Sequence, residues 1–276
     1  WSKLKPGIIP IFSWIFLNNL NFSSSPDIVI SCGRKSVYLS LYLKKRYKNI
    51  ITIHIQNPKI NFKKFDFIIA PQHDKIKGKN IISSIGALHK FTNEKIQEEA
   101  NSKFNIPKSN LISILIGGNN RHYDFSKKEM IELISKIQNI KKIYPIYNIL
   151  LLSSRRTSYK IKKLLTDNLN NIAYIWKDNQ ENPYTFSLKY SKFFIVTSDS
   201  TSMISECAFT GKPIYIFHLP YKRKSKRIEK FHEDFEKLNI TKKLTNKIDL
   251  IAWNYNSLNE SKRIASIIKE RIIKVN

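Results

Sequence analysis

The residues best placed to do chemistry lie in the stretch Phe193–Pro213. An apolar run ends at Thr197, the small polar residues Thr197-Ser198-Asp199-Ser200 follow, and a helix is expected to begin near Ser200. The amides of a helix's first turn have no intrahelical partner and carry positive potential, and short side chains let a diphosphate approach them. Ser200, Thr201 and Ser202 are therefore candidate diphosphate ligands. Glu206 lies about one and a half turns further on, where its carboxylate could accept hydrogen bonds from ribose hydroxyls. The plainer alternative is a Ser/Thr-rich helix cap with a solvated glutamate.

Two further loops belong with this one. Gly117 and Gly118, followed by Asn119, close the apolar run Leu111–Ile116, and paired glycines at a strand's carboxyl end allow close ligand approach. Ser153–Thr157 contains Arg155 and Arg156, either of which could neutralise a diphosphate by forked hydrogen bonding; Arg155 is the candidate. In the first half, Cys32-Gly33-Arg34, Gln56–Pro58, Pro71–Asp74 and Gly86–His89 follow predicted strands or sit in loops. Carboxyl-end loops of a parallel sheet share one edge, so these loops, with Cys32, Gly33, Arg34 and His89 among them, are candidate ligand-edge residues. By residue type His73 and Asp74 are the general-base candidates, though a histidine in such a loop is as readily a structural one. Tyr123/Lys127 and Tyr159/Lys163 imitate the Tyr-x-x-x-Lys pair of dinucleotide-dependent epimerases. No Gly-x-Gly-x-x-Gly accompanies them, so no bound dinucleotide cofactor is expected.

These loops need a scaffold that brings strand ends together. Strands are expected at Asp27–Ser31, Ile50–Ile55, Asp66–Ala70, Leu111–Ile116, Asn148–Ser153, Ile172–Trp176, Phe193–Thr197 and Pro213–Phe217. Helices are expected at Lys35–Lys48 and near 126–140, 156–169, 184–191 and 201–210, with a capping box at Ser126/Glu129 and a glycine stop at Gly211. A second box, Ser257/Glu260, starts an amphipathic terminal helix over Ser257–Lys274. Apolar runs alternating with helices imply strands buried on both faces, hence an α/β fold with parallel sheets. Polar Asn101–Asn110 reads as the linker. The expected organisation is a first lobe over 1–107, a second over 108–256, and a terminal helix, 257–276, returning to the first.

The net charge of +27 comes from 48 Lys+Arg against 21 Asp+Glu and is spread over the chain. Spread charge favours any polyanion and names none. The basic loop Lys222–Arg227 lacks interleaved aromatics, which suits phosphate or lipid headgroups and argues against sequence-specific nucleic-acid reading. Only two cysteines, Cys32 and Cys207, are present and fall in different expected lobes, which argues against a disulfide framework and a cysteine-ligated zinc site and points to a reducing cytoplasm. Near the start, Lys3, Lys5, Ile8–Leu17 and Ser23–Ser25 imitate a signal peptide, but Pro10 and Ser13 interrupt a run well short of the roughly 18–20 apolar residues of a span. Ile11–Leu20 is read as a short helix facing either the core or a membrane surface. Beginning on Trp1, the chain is expected to continue upstream.

In combination, Cys32–Arg34, Gln56–Pro58, Pro71–Asp74, Gly86–His89, Ile116–Asn119, Ser154–Thr157, Glu181–Tyr184, Thr197–Pro213 and Arg227–His232 resemble the Elongated-Mitochondria (mitochondrial fission) family and its bacterial homologues. The likeness spans about residues 27 to 235. It implies two Rossmann-like lobes of the B-type glycosyltransferase kind, and the acceptor side for Cys32, Gly33, Arg34 and His89. The further similarity of Thr197–Pro213 to the donor-binding segment of the enzyme that adds N-acetylglucosamine to the lipid-linked peptidoglycan precursor implies Ser200–Ser202 on diphosphate and Glu206 on ribose. The family resemblance also implies a metal-independent glycosyltransferase that takes a nucleotide-sugar as substrate, has no separate cofactor and serves the bacterial envelope. The place implied is the cytoplasm, peripheral to the inner face of the membrane, where an anionic surface or a lipid-linked acceptor is the partner. The alternative implied by the plant member, which recruits a dynamin-like protein, is a non-catalytic scaffold.

Overall fold

The computed structural model describes residues 24–100, 104–247 and 249–274. The proposed N-terminal helix lies outside them. The chain divides into two compact units, one made of residues up to Ile85 with those from Glu260 onward, the other of Gly86–Asn259.

The first unit is a four-stranded parallel sheet in the order β1-β2-β3-β4. Its strands are β1 (Ile28–Cys32), β2 (Ile51–Ile55), β3 (Phe67–Pro71) and β4 (Ile81–Ser84), with helix α1 (Val37–Arg46) between the first two. Val37 and Leu41 pack with Phe65, Ile68 and Ala70, so the helix covers one face of the sheet. The alternating Val37, Leu39, Leu41 and Leu43 are helical, because the crossover between two parallel neighbours demands a helix and tertiary packing overrides the period. Strand β4 escaped the sequence reading: four residues ending Ser83-Ser84 carry too short an apolar signal.

In the second unit six parallel strands lie in the order β10-β9-β8-β5-β6-β7. The elements run α2 (Asn93–Glu99), β5 (Leu111–Ile116), α3 (Lys127–Ile143), β6 (Asn148–Ser153), α4 (Tyr159–Leu169), β7 (Tyr174–Ile175), α5 (Tyr184–Tyr190), β8 (Ser191–Thr197), α6 (Thr201–Ala208), β9 (Ile214–Phe217), α7 (Lys226–Lys237) and β10 (Thr241–Lys243). The chain enters at β5, winds outward through β6 and β7, then returns to the other side of β5 as β8. The reversal makes β5/β8 the switch point at which open α/β sheets bind ligands. Ile112, Ile114 and Ile116 meet Met130, Leu133 and Ile137 of α3 and Leu165 and Leu169 of α4. Leu115, pointing the other way, borders a cavity with α5 and α6. The Ser126/Glu129 capping box is formed, and Gly211 takes a left-handed φ of 70° after α6.

Two expectations change. The division falls at 85/86 instead of 107/108, because segment 86–107 is built into the second unit. Ser205 Oγ of α6 accepts a hydrogen bond from the Ala87 amide at 2.9 Å, and α2 packs on α5. A linker composition accompanies surface crossings within a unit as readily as those between units. The terminal helix α8 (Glu260–Ile273) does cluster with the first unit, but Ser257/Glu260 is no capping box. Glu260 is the first helical residue and is buried; its carboxylate accepts from the Ile85 amide at 2.8 Å and pairs with Arg263 at 2.7 Å. Arg263 also donates to the Ser83 carbonyl, tying α8 to β4.

Candidate functional site

The loops after β5 and β8 meet, as the switch-point topology requires, yet the two glycines are not left open for a ligand. Thr197 Oγ1 accepts from the Gly117 amide at 2.8 Å and the Asp199 carboxylate accepts from the Gly118 amide at 3.1 Å. Asp199 is wholly buried and pairs with Arg156 at 2.7 Å, while Thr197 donates to it at 2.6 Å. A Cβ at Gly117 would collide with the Asp199 carboxylate, and one at Gly118 with the Arg156 carbonyl. Both positions thus require glycine to admit protein groups, and their amides are already hydrogen-bonded within the fold. Asn119 is likewise committed to the fold, its Oδ1 accepting from the Phe125 amide.

The open space lies on the other side of these loops. A cavity of about 210 Å³ is lined by Leu115, Ser154, Arg155, Trp176, Asn182, Tyr184, Met203 and Glu206, among others. It sits over the carboxyl ends of β5 and β6 against α5 and α6. The turn at Ser154–Thr157 decides which arginine reaches it. Thr157 Oγ1 accepts from the Ser154 amide at 3.0 Å and Ser154 Oγ from the Arg156 amide at 3.2 Å. Arg156 is thereby directed onto Asp199 and the Gly118 carbonyl, and Arg155 is left on the cavity.

Glu206 is partly buried, and Tyr184 donates its hydroxyl to the carboxylate. Burial pushes the Glu206 carboxyl above its ordinary range, and the Tyr184 hydrogen bond and the charge of Lys90 act against that rise. Burial first, then the neighbouring Cys207 and Glu206, hold the Tyr184 phenol far above its usual range, so it stays a donor. Trp176 forms a fixed wall, its indole N–H donating to the Gln180 and Glu181 carbonyls at 3.2 and 3.1 Å. Ser200 caps α6, its hydroxyl accepting from the Met203 amide at 3.4 Å, while Thr201 is half-buried and Ser202 exposed.

Glu206 and Arg155 are therefore brought to one cavity, to which α6 contributes Met203 and Glu206, whereas Ser200, Thr201 and Ser202 do not line it. Tyr184, Trp176 and Asp199 escaped the sequence reading as functional positions. Tyr184 ends the Glu181–Tyr184 motif and Asp199 is the lone acid in a hydroxyl run, which were the available signals. His89 belongs to the second unit, not the acceptor-side first: its ring packs edge-on against Phe209 at 5.2 Å and near Phe91 at 5.9 Å, and burial lowers its pKa. In the first unit, His73 and Asp74 form a 3-10 turn directly after β3, both half-buried. Gly33 has φ 76° and its amide donates to the Ile55 carbonyl at 3.2 Å; Cys32 and Arg34 beside it are exposed. Neither cysteine is in a disulfide.

Two parallel sheets with crossover helices and strand-end loops define an α/β protein of the B-type glycosyltransferase fold. A UDP-GlcNAc 2-epimerase from Methanocaldococcus jannaschii superposes with a TM-score of 0.50 at 17% identity, over 89% of this chain and 77% of that one. The chain belongs to the mitochondrial fission ELM1 family, whose model matches residues 5–272. It is 31% identical to the uncharacterized protein RP120 of Rickettsia prowazekii, over 88% of this chain and 79% of that protein. With the mitochondrial fission protein ELM1 of Arabidopsis thaliana it shares 25% identity over 90% of its own length, and it spans 64% of that relative. Among the described residues, no helix is long and apolar enough to cross a membrane.

Proposed function

We propose that the second unit binds a nucleotide-sugar and that the protein is a metal-independent glycosyltransferase acting on a lipid-linked acceptor of a bacterial envelope. The observation that carries this is the cavity holding Glu206, Tyr184, Trp176 and Arg155 at the carboxyl edge of the sheet, against α6 at Met203 and Glu206. Tyr184 uses one lone pair of Glu206, and the remaining carboxylate lone pairs accept ribose hydroxyls. The flat Trp176 wall suits a base, and Arg155 with the first-turn amides at Ser200, Thr201 and Ser202 takes the diphosphate. Stabilising the departing nucleoside diphosphate in this way needs neither a metal nor a separate cofactor. His73 and Asp74, with Cys32, Gly33 and Arg34 on the same strand-end edge of the first unit, are the candidates for handling the acceptor. The Methanocaldococcus neighbour's name, a UDP-GlcNAc 2-epimerase, supports a nucleotide-sugar as the ligand class.

Titration calorimetry with uridine and cytidine diphosphate sugars tests the reading, with Glu206→Ala as the decisive variant. A charge-assisted bond is worth about 1.5–3 kcal/mol, so affinity should fall about tenfold or more. Product analysis then separates transfer from epimerisation. A wild-type protein that binds no nucleotide-sugar would leave the fold as a partner-binding scaffold.

A further inference from the structure

A second groove lies on the opposite face of the second unit's sheet, between the start of α3 and α4. Its volume is about 440 Å³, its floor is Phe125, Ile161 and Leu164, and its rim is Lys127, Lys160, Lys163 and a single acid, Asp167. Phe125 and Ile161 are core residues, so the floor is rigid. Among the described residues none of the three lysines is in a salt bridge, in contrast to Lys162 of the same helix, which pairs with Asp178. Tyr159, the first residue of α4, is 79% exposed beside the rim. A smaller hollow shares Phe125, Ser158 and Ile161 and extends the groove to Arg156.

We propose that this groove docks an anionic phospholipid, with the phosphate over Lys127, Lys160 and Lys163 and the first part of an acyl chain on Phe125, Ile161 and Leu164. Charge complementarity selects this occupant. Ammonium groups without an ion-pair partner around an apolar floor match a ligand that is anionic at one end and apolar at the other, and the lysine stems extend the apolar surface toward it. An exposed tyrosine at the edge suits the boundary between headgroups and hydrocarbon. Free phosphate would leave the floor uncovered, and an uncharged lipid would leave the rim without a partner. The inference rests on the lipid-linked-acceptor part of the proposed function, which brings the protein to a membrane surface, and not on its nucleotide part.

Co-sedimentation with phosphatidylcholine vesicles, with and without phosphatidylglycerol, tests it. Each lysine near an anionic surface is worth about fivefold in partitioning. The triple reversal Lys127→Glu, Lys160→Glu, Lys163→Glu should therefore lower binding to the anionic vesicles by about a hundredfold or more. A control carrying the same charge change at exposed lysines outside both the groove and the Lys222–Arg227 loop, Lys142→Glu, Lys237→Glu, Lys269→Glu, should lose less than about tenfold. Leu164→Asn, with the rim intact, should also weaken binding while the nucleotide affinity of every variant stays at the wild-type value. Equal losses in the two triple variants would assign the effect to bulk charge and overturn the groove. No vesicle binding by the wild type would overturn the groove and the membrane reading together. Self-association abolished by the groove reversal, without vesicle binding, would assign the face to a second copy of the chain and overturn the proposal.

Discussion

Asp199 shows how one buried side chain sets the form of the strand-end loops. Its carboxylate takes an amide, a hydroxyl and a guanidinium, and it also forbids a side chain at position 117. Removing its charge strands Arg156 and two buried donors. Breaking a buried pair costs about 3–5 kcal/mol, and with Arg156 39% exposed the lower end applies. Asp199→Asn should thus destabilise the protein by about 3 kcal/mol in urea unfolding, and a loss below about 1 kcal/mol would contradict the assigned role. Tyr184→Phe makes a different point. Without its hydroxyl the Glu206 carboxylate loses a donor in a partly buried setting, so the carboxyl should move further up from its already raised position. Titration by NMR of labelled glutamate reads that shift, and an unchanged or lowered titration point would count against the hydrogen bond.

Among the elements, α8 is held to β4 by few groups. Glu260 bonds the Ile85 amide and Arg263, Arg263 reaches the Ser83 carbonyl, and Arg271 donates to the Lys79 carbonyl at 3.1 Å. Glu260→Ala leaves a partly buried amide unsatisfied and an arginine without its anion, costs of about 1–3 kcal/mol. Hydrogen exchange should then accelerate in α8 and β4 and stay unchanged in β5 and β6. Uniform acceleration across both units would mean that the helix end matters only to global stability. The capping box of α3 is a milder case: Ser126→Ala should cost about 1 kcal/mol.

For the whole molecule, buried histidines couple stability to pH. His54, 0% exposed on β2, and His232, 6% exposed on α7, are each pushed down to about 4 by burial, His232 also by His218 nearby. Between pH 6.5 and 4 the unfolded chain therefore binds protons that the folded chain refuses. Stability is unaffected by these groups above about pH 6.5 and falls as pH drops from there toward 4. Each histidine contributes at most about 3 kcal/mol to that loss. His54→Gln should flatten the acid limb of a melting-temperature profile. A profile level from pH 7 to 4 in the wild type would show that neither ring is as enclosed as the structure has it. The net charge of +27 acts separately, and added salt should weaken binding to anionic vesicles.

Local pattern alone determined most of the scaffold. Leu111–Ile116 and Asn148–Ser153 were legible to the residue, because strands buried on both faces must be continuously apolar. The box at Ser126/Glu129 and the glycine at 211 marked helix ends through chemistry that acts within four residues. Family membership was legible because the loop motifs occur together in one order. The short strands β4 and β10 gave weak signals, since three or four residues do not establish a period, while β7 at Tyr174–Ile175 lies inside the expected Ile172–Trp176. What the tertiary structure alone decided was which groups meet. Arg155 rather than Arg156 faces the cavity, Asp199 and not a ligand occupies the Gly118 amide, and Glu260 accepts from the Ile85 amide instead of capping its own helix. Each of these depends on strand order and on partners from about 40 to 175 residues away, as the Arg156–Gly118 and Ile85–Glu260 bonds do. A side chain's residue type says what it can bond, but only the path of the chain through space says what it reaches first.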